Sequence, residues 1–218
     1  MKRPMIDYRE LRFSTVNEPR FRHVWLALSW IGYFAMYVLT EHLIPAERCR
    51  PVHIPLDDLI PFNEYFVLFY VGWYALVFFS LLYYLLYDAE QFKRLQWYII
   101  ITQVIAMACY ILYPTRQDLR PDSFAHDNFL TQVVAYLYSF DTNTGVCPSL
   151  HAGYSFAILS VQLRDRNISL WWKVTLTVLV ICICLSVCFI KQHSALDVFA
   201  AIPMCLVAEL LIFGRRKR

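Results

Sequence analysis

Six long apolar runs, separated by short polar stretches, limit what this chain can fold into more than any other feature. They cover approximately residues 24–44, 66–87, 97–113, 150–163, 171–190 and 195–213. About 20 consecutive apolar residues cross a bilayer as a helix. Inside lipid the backbone must satisfy its own hydrogen bonds, which leaves helices for segments of this kind. The sequence therefore predicts an all-α, polytopic membrane protein, a six-transmembrane-helix bundle forming one integral-membrane domain over residues 1–218. The fourth run is short for a span. It must begin inside the polar stretch before it or be shielded by protein. A chain that is 59% hydrophobic and 17% charged fits this class and not an ordinary soluble domain. A net charge of +3 with no basic patch gives no reason to expect nucleic acid. Residues 1–23 are polar and basic, and the first run is too long for a signal core, so a retained first span is expected.

Orientation follows from the placement of lysine and arginine. If the N-terminus is cytoplasmic, fifteen of the 20 basic residues fall in segments on that side, and Arg48, Arg50, Arg116, Arg120 and Lys191 fall on the other. The positive-inside rule then puts both termini in the cytoplasm. Three chemically loaded loops, 45–65, 114–149 and 190–194, share the outer side. Between the third and fourth runs, Asn128–Phe140 is too short to cross and is expected to form an interfacial helix, either a cover for a site or a packed connector.

Two of those loops run into apolar segments through similar polar doorways, "GVCPSLHAGYS" (Gly145–Ser155) and "IKQHSALDVFAA" (Ile190–Ala201). In the second, His193 and Asp197 are four apart and share one face of a helix. There the carboxylate can hold one imidazole nitrogen and leave the other free to attack or to take a proton. In the first, Pro148 suits a first helical turn. Ser149 and His151 would then sit where free backbone N–H groups attract anions, or would form a plain cap with a solvent-facing histidine. Arg116 and Arg120, four apart, suit a phosphate or an ordinary lipid headgroup, and Lys191 adds a cation. Asp57 and Asp58 are expected to be solvated loop charges, the alternative being a part in headgroup choice. Two histidines, one carboxylate and these cations fit phosphoryl transfer through a phosphohistidine. His193 would be the nucleophile, Asp197 its positioning partner and His151 the acid and base. Arg116, Arg120, Lys191 and Ser149 would hold the phosphate oxygens. No cofactor is implied, and no ligand set of the kind a metal site needs stands out. A Cys49–Cys147 disulfide, both cysteines being in outer loops, is formally open.

These motifs resemble those of the type 2 phosphatidic acid phosphatase superfamily, six-helix membrane enzymes with the pattern K-x6-R-P, P-S-x-H and S-R-x5-H-x3-D. Pro148-Ser149-Leu150-His151 matches the second motif in full. Ser186, His193 and Asp197 match the third in part, and Arg120-Pro121 the first in part. The family's lysine falls on Tyr113 and the arginine of its third motif on Val187. Arg116 and Lys191 are the candidate replacements. "PLDDLIPFNEYFVLFYVGWY" and "PSLHAG" are similar to the branch that contains inositol phosphorylceramide synthase. The resemblance implies a metal-independent enzyme acting on a lipid phosphate or phospholipid, with water or an alcohol as acceptor. The rival readings are an intramembrane serine protease of rhomboid type, for which "GYSF" lacks the second glycine, and an inactive lipid-binding relative. The oligomeric state is open.

Overall fold

A computed structural model describes residues 5–214. It is almost wholly helical. Five helical stretches are long and apolar enough to cross a membrane: Arg22–Leu43, Glu64–Tyr87, Ala89–Leu112, Leu170–Phe189 and Ala195–Phe213. Within them lie α1 (Ser29–Leu43), α3 (Val67–Tyr87), α4 (Ala89–Leu112), α7 (Leu170–Phe189) and α8 (Ala195–Phe213). Three shorter helices complete the set: α2 (Pro55–Leu59), α5 (Phe129–Phe140) and α6 (Leu150–Arg164). Several apolar helices of this length make the chain a multi-pass membrane protein.

The fourth apolar run became α6, whose 15 residues reach about 22 Å at ~1.5 Å each, short of a ~30 Å hydrocarbon core. It packs against α3, α4, α7 and α8 and buries nine of its 15 residues. Helix α1, by contrast, buries none. Small residues let these helices approach closely: Ala106, Ala152, Ala157, Ala201 and Ala208 are fully covered. At Gly153 an added Cβ would lie 2.8 Å from Met204 Cε. Helix α4 begins eight residues before the apolar run expected from sequence. "AEQFKRLQ" is polar, but it is rich in helix formers. The Asp88 carboxylate caps it, accepting from the N–H groups of Glu90 and Gln91 at 3.0 and 3.1 Å.

The long helices alternate in direction, so the segments 44–66, 113–149 and 190–194 meet at one end of the bundle. Two-residue strands β1 (Arg50–Pro51) and β2 (Thr115–Arg116) pair in parallel. Gly145 N–H bonds Thr115 O at 2.8 Å, and Asn63 N–H bonds Phe189 O at 3.0 Å. Helix α5 docks on this cluster. Asn128 reaches Glu64 Oε1 at 3.1 Å and Val134 is covered, while Phe129 and Tyr136 on the opposite side stay exposed. The other end holds the N-terminal segment, tied by Ile6 N–H to Leu86 O, and an Arg164–Glu209 pair. Most of the basic residues read from sequence as cytoplasmic lie here. Lys2, Arg3 and Arg215–Arg218 are outside the described residues.

Candidate active site

The start of α8 is built from "HSALD". Ser194 caps the helix, its hydroxyl accepting from Leu196 N–H at 3.1 Å. Asp197 Oδ2 accepts from Ser194 N–H at 3.1 Å, which closes a capping box. The same oxygen lies 3.1 Å from His193 Nδ1. A carboxylate can only accept here, so Nδ1 carries the hydrogen and Nε2 keeps its lone pair. Asp197 is fully covered, which fixes the imidazole against a rigid wall. A second carboxylate supports the turn. Asp57 accepts from the Ser194 hydroxyl at 2.6 Å and from Ala195 N–H at 2.8 Å. The sequence reading of Asp57 as a solvated charge is therefore corrected: it is buried and completes the cap of α8 from a distant loop.

The start of α6 is attached to this turn. Ser149 caps α6, accepting from Ala152 N–H at 3.4 Å. Its own N–H donates to the carbonyl of Asp197 at 3.0 Å, and Tyr110 holds the Pro148 carbonyl at 2.7 Å. Backbone joined to backbone leaves the two histidines little freedom to separate, and their ring centroids lie 5.5 Å apart. His151 is held by tilted ring contacts, with Trp73 at 4.3 Å and Tyr70 at 4.6 Å. Its Nε2 is buried and has no hydrogen-bond partner.

Both imidazoles line a cavity of about 450 Å³ between α1, α3 and the loop end of the bundle, within the usual size range for small-molecule sites. Asp141, just past α5, lines it too. The Asp141 carboxylate accepts from Tyr37, Tyr70 and Gln192 at 3.1, 2.9 and 3.0 Å. The sequence reading missed Asp141 and Gln192, because nothing in "SFDTNTG" distinguishes a turn aspartate from a site aspartate. A signal did exist for Tyr70, Trp73 and Tyr74, whose 0, 3, 4 spacing marks one helix face.

Of the cations expected to grip phosphate, Arg116 and Lys191 are turned elsewhere. Arg116 pairs with Asp118 at 3.0 Å and donates to the carbonyls of Ala46 and Cys49, where it staples the β1–β2 loops. Lys191 is buried and donates to the carbonyls of Asp57 and Ile60. Arg120 comes nearer. It bonds Gln192 Oε1 at 2.7 Å and the carbonyls of Tyr138, Asp141 and Thr142, stacks on Tyr138, and leaves its buried Nε without a partner. Burial holds its pKa below the usual guanidinium value, with the Asp141 carboxylate pulling the other way. Arg116 and Lys191 thus carry the loop architecture. Tyr113 accepts from Arg50 on an exposed surface. Buried Val187 offers its carbonyl to the N–H groups of Gln192 and His193.

Ser155, the serine of "GYSF", is buried and donates to the carbonyl of His151 at 2.7 Å. That occupies the hydroxyl a serine protease would need. All seven cysteines are free thiols, Cys49 and Cys147 included. Burial, reinforced by the charge of Asp197, pushes the Cys147 thiol up to about 12. Compared with family models, with curated proteins and with solved structures, the chain matches none.

Proposed function

We propose that the chain is a lipid phosphatase or phospholipid headgroup phosphotransferase of the type 2 phosphatidic acid phosphatase kind, resembling the inositol phosphorylceramide synthase branch. One observation carries this reading: His151 and His193 lie 5.5 Å apart on helix starts tied together by Ser149 N–H and the Asp197 carbonyl. At that separation both imidazoles can come within about 2.6–3.2 Å of one phosphoryl group. His193 Nε2 attacks phosphorus, the N–P bond forms and the P–O bond to the departing alcohol breaks. His151 gives that oxygen a proton. Water or a second alcohol then attacks phosphorus, His151 takes its proton back, and the N–P bond breaks. Asp197 stabilises the positive charge that His193 acquires. Backbone N–H groups at the start of α6, the Ser149 hydroxyl and Arg120 Nε favour the equatorial oxygens. No cofactor enters these steps.

In the bilayer, α6 counts as the sixth crossing, shielded by the helices around it. Helix α5 lies at the interface with Phe129 and Tyr136 toward lipid. The site opens to the outer face and both termini are cytoplasmic, as the bias of basic residues supports. Purified protein supplied with labelled phospholipids and with diacylglycerol, ceramide or water as acceptor tests the reading. An acid-labile phosphoenzyme and release or transfer of a phospho-group are expected, and His193→Gln removes both. Turnover near wild type in that variant would sink the nucleophile assignment. The displacement of Arg116 and Lys191 favours a second reading, an inactive lipid-binding relative, which predicts binding with no phosphoenzyme at all.

A further inference from the structure

A second hollow lies outside the reaction cavity and shares no lining residue with it. It is a groove of about 650 Å³ between α4 and α8. Ile105 and Cys109 of α4, with Tyr113 just past its end, form one wall, and Leu196, Ala200 and Val207 of α8 form the other. Met204 between them is buried, whereas Tyr113, Leu196 and Val207 are exposed, so the groove faces lipid. From Leu196 to Val207 it runs ~16 Å at ~1.5 Å per residue. That matches the depth of one leaflet, half of a ~30 Å hydrocarbon core. Arg50, His53, Tyr113 and Thr115 gather at its loop end, and no carboxylate lines it. The Arg50 guanidinium lies 4.4 Å over the Tyr113 ring, and its NH1 donates to the Tyr113 hydroxyl at 2.9 Å. Among the described residues no other acceptor takes its side-chain donors and no carboxylate pairs with it. Asp58 bonds the other titratable wall residue, His53, at 2.7 Å, and Asp118 bonds Arg116 at 3.0 Å. A guanidinium carries five N–H donors, so most of those on Arg50 stay available to a ligand. A planar fork of donors held above an apolar groove one leaflet deep suits a phosphate above and a hydrocarbon chain below.

We infer that the groove holds one phospholipid of the loop-side leaflet as a bound, unreacted ligand, with its phosphate on Arg50 and one acyl chain between α4 and α8. Both histidines line the other cavity, so this site is separate from phosphoryl transfer and does not depend on it. Pro148 and Leu196, at the starts of α6 and α8, belong to the groove wall. The bound chain therefore packs against both helix starts.

The test is photo-crosslinking of the full-length protein in maltoside detergent, which carries no phosphate. Two probes share an acyl chain with a diazirine at its middle, one a phosphatidylglycerol and the other a diacylglycerol, and adducts are mapped by peptide mass spectrometry. Adducts of the phosphatidylglycerol are expected to concentrate on Ile105–Tyr113 and Leu196–Val207. Half-maximal labelling there is expected at about tenfold lower concentration than with the diacylglycerol, ~1.4 kcal/mol. Arg50→Gln is expected to bring the two probes within about twofold, and Ala200→Trp, which fills the groove, to remove both sets of adducts. Adducts spread evenly onto the exposed face of α7 around Val178 and Ile181 would overturn the inference, as would adducts confined to α1 and α3 beside the reaction cavity. Equal labelling by the two probes, or a preference that survives Arg50→Gln in protein of unchanged melting temperature, would do the same. The readout is an adduct and not turnover, so failure of the phosphoryl-transfer reading leaves it intact.

Discussion

The starts of α6 and α8 look alike in sequence, each a serine cap with a histidine beside it, yet the fold treats the two histidines differently. His193 precedes its cap and is gripped through Nδ1 by Asp197, which is itself locked into the capping box. His151 lies in the first turn of α6 and has no such partner. Aromatic rings press on it and its Nε2 is left unpaired. A nucleophile needs one tautomer, one direction and a counter-charge for the cation it becomes. An acid and base must gain and lose a proton within each cycle, and a fixed carboxylate on its ring would bias it toward one state. In the proposed mechanism the electrostatically fixed imidazole, His193, is the attacking one, and the imidazole packed among aromatic rings, His151, is the shuttling one.

Removing the fixation should have the larger effect. Asp197→Asn keeps the shape of the cap but offers His193 no charge. Turnover is expected to fall about 10⁴-fold, the scale seen when the aspartate of a hydrolase triad is neutralised, with substrate affinity little changed. A rate within a few fold of wild type would erase the distinction between the two helix starts. His151→Gln is expected to cost about 10²–10⁴-fold, the range of general acid–base catalysis. The loss should shrink for a nitrophenyl ester, whose leaving group needs no proton. The Asp197→Asn deficit should persist with that ester, and an equal recovery in both variants would mean the roles are not divided as described.

Smaller effects test the scaffold behind the contrast. Asp57→Ala strips the second support from α8 and leaves the Ser194 O–H and the N–H groups of Ala195 and Ile54 without their acceptor. A loss of about 1–3 kcal/mol in stability is expected, the cost of orphaned buried donors, read as a lower melting temperature. The corresponding removal at α6, Ser149→Ala, deletes a single weaker cap bond. At the α6 doorway Cys147 should be chemically silent. With its thiol pushed up to about 12, the folded protein holds about a thousandfold less thiolate at pH 8.5 than a free cysteine of pKa ~8.5 does. Alkylation at that pH should be correspondingly slower than in denatured protein, and Cys147→Ser should leave turnover unchanged. The sign follows from the acid: a raised thiol pKa keeps Cys147 neutral until the pH approaches that value.

Much of this was legible in the chain because it is local. The contact of His193 with Asp197 and the cap at Ser149 are local features and the structure has both, although His193 precedes the Ser194 cap of α8 and does not share a helix face with Asp197. The limits of α4 were not legible, because its first eight residues are polar helix formers that an apolar count ignores. Arg116, Arg120 and Lys191 were grouped as phosphate ligands because sequence gives their charge and their loop. It does not give the direction of a long side chain, and carbonyls from remote segments, with the Asp118 carboxylate, hold Arg116 and Lys191 away from the histidines.

The sequence by itself determined that this chain is a set of apolar helices with its candidate site residues confined to a few loop ends, since hydropathy and helical spacing are properties of neighbours along the chain. Only the tertiary structure decided that two of those ends share a hydrogen bond, that Asp57 is buried beneath one of them, and that Asp141 faces an aromatic cavity. Those facts depend on which distant backbone groups find each other once the helices pack, and no pattern of adjacent residues encodes that choice.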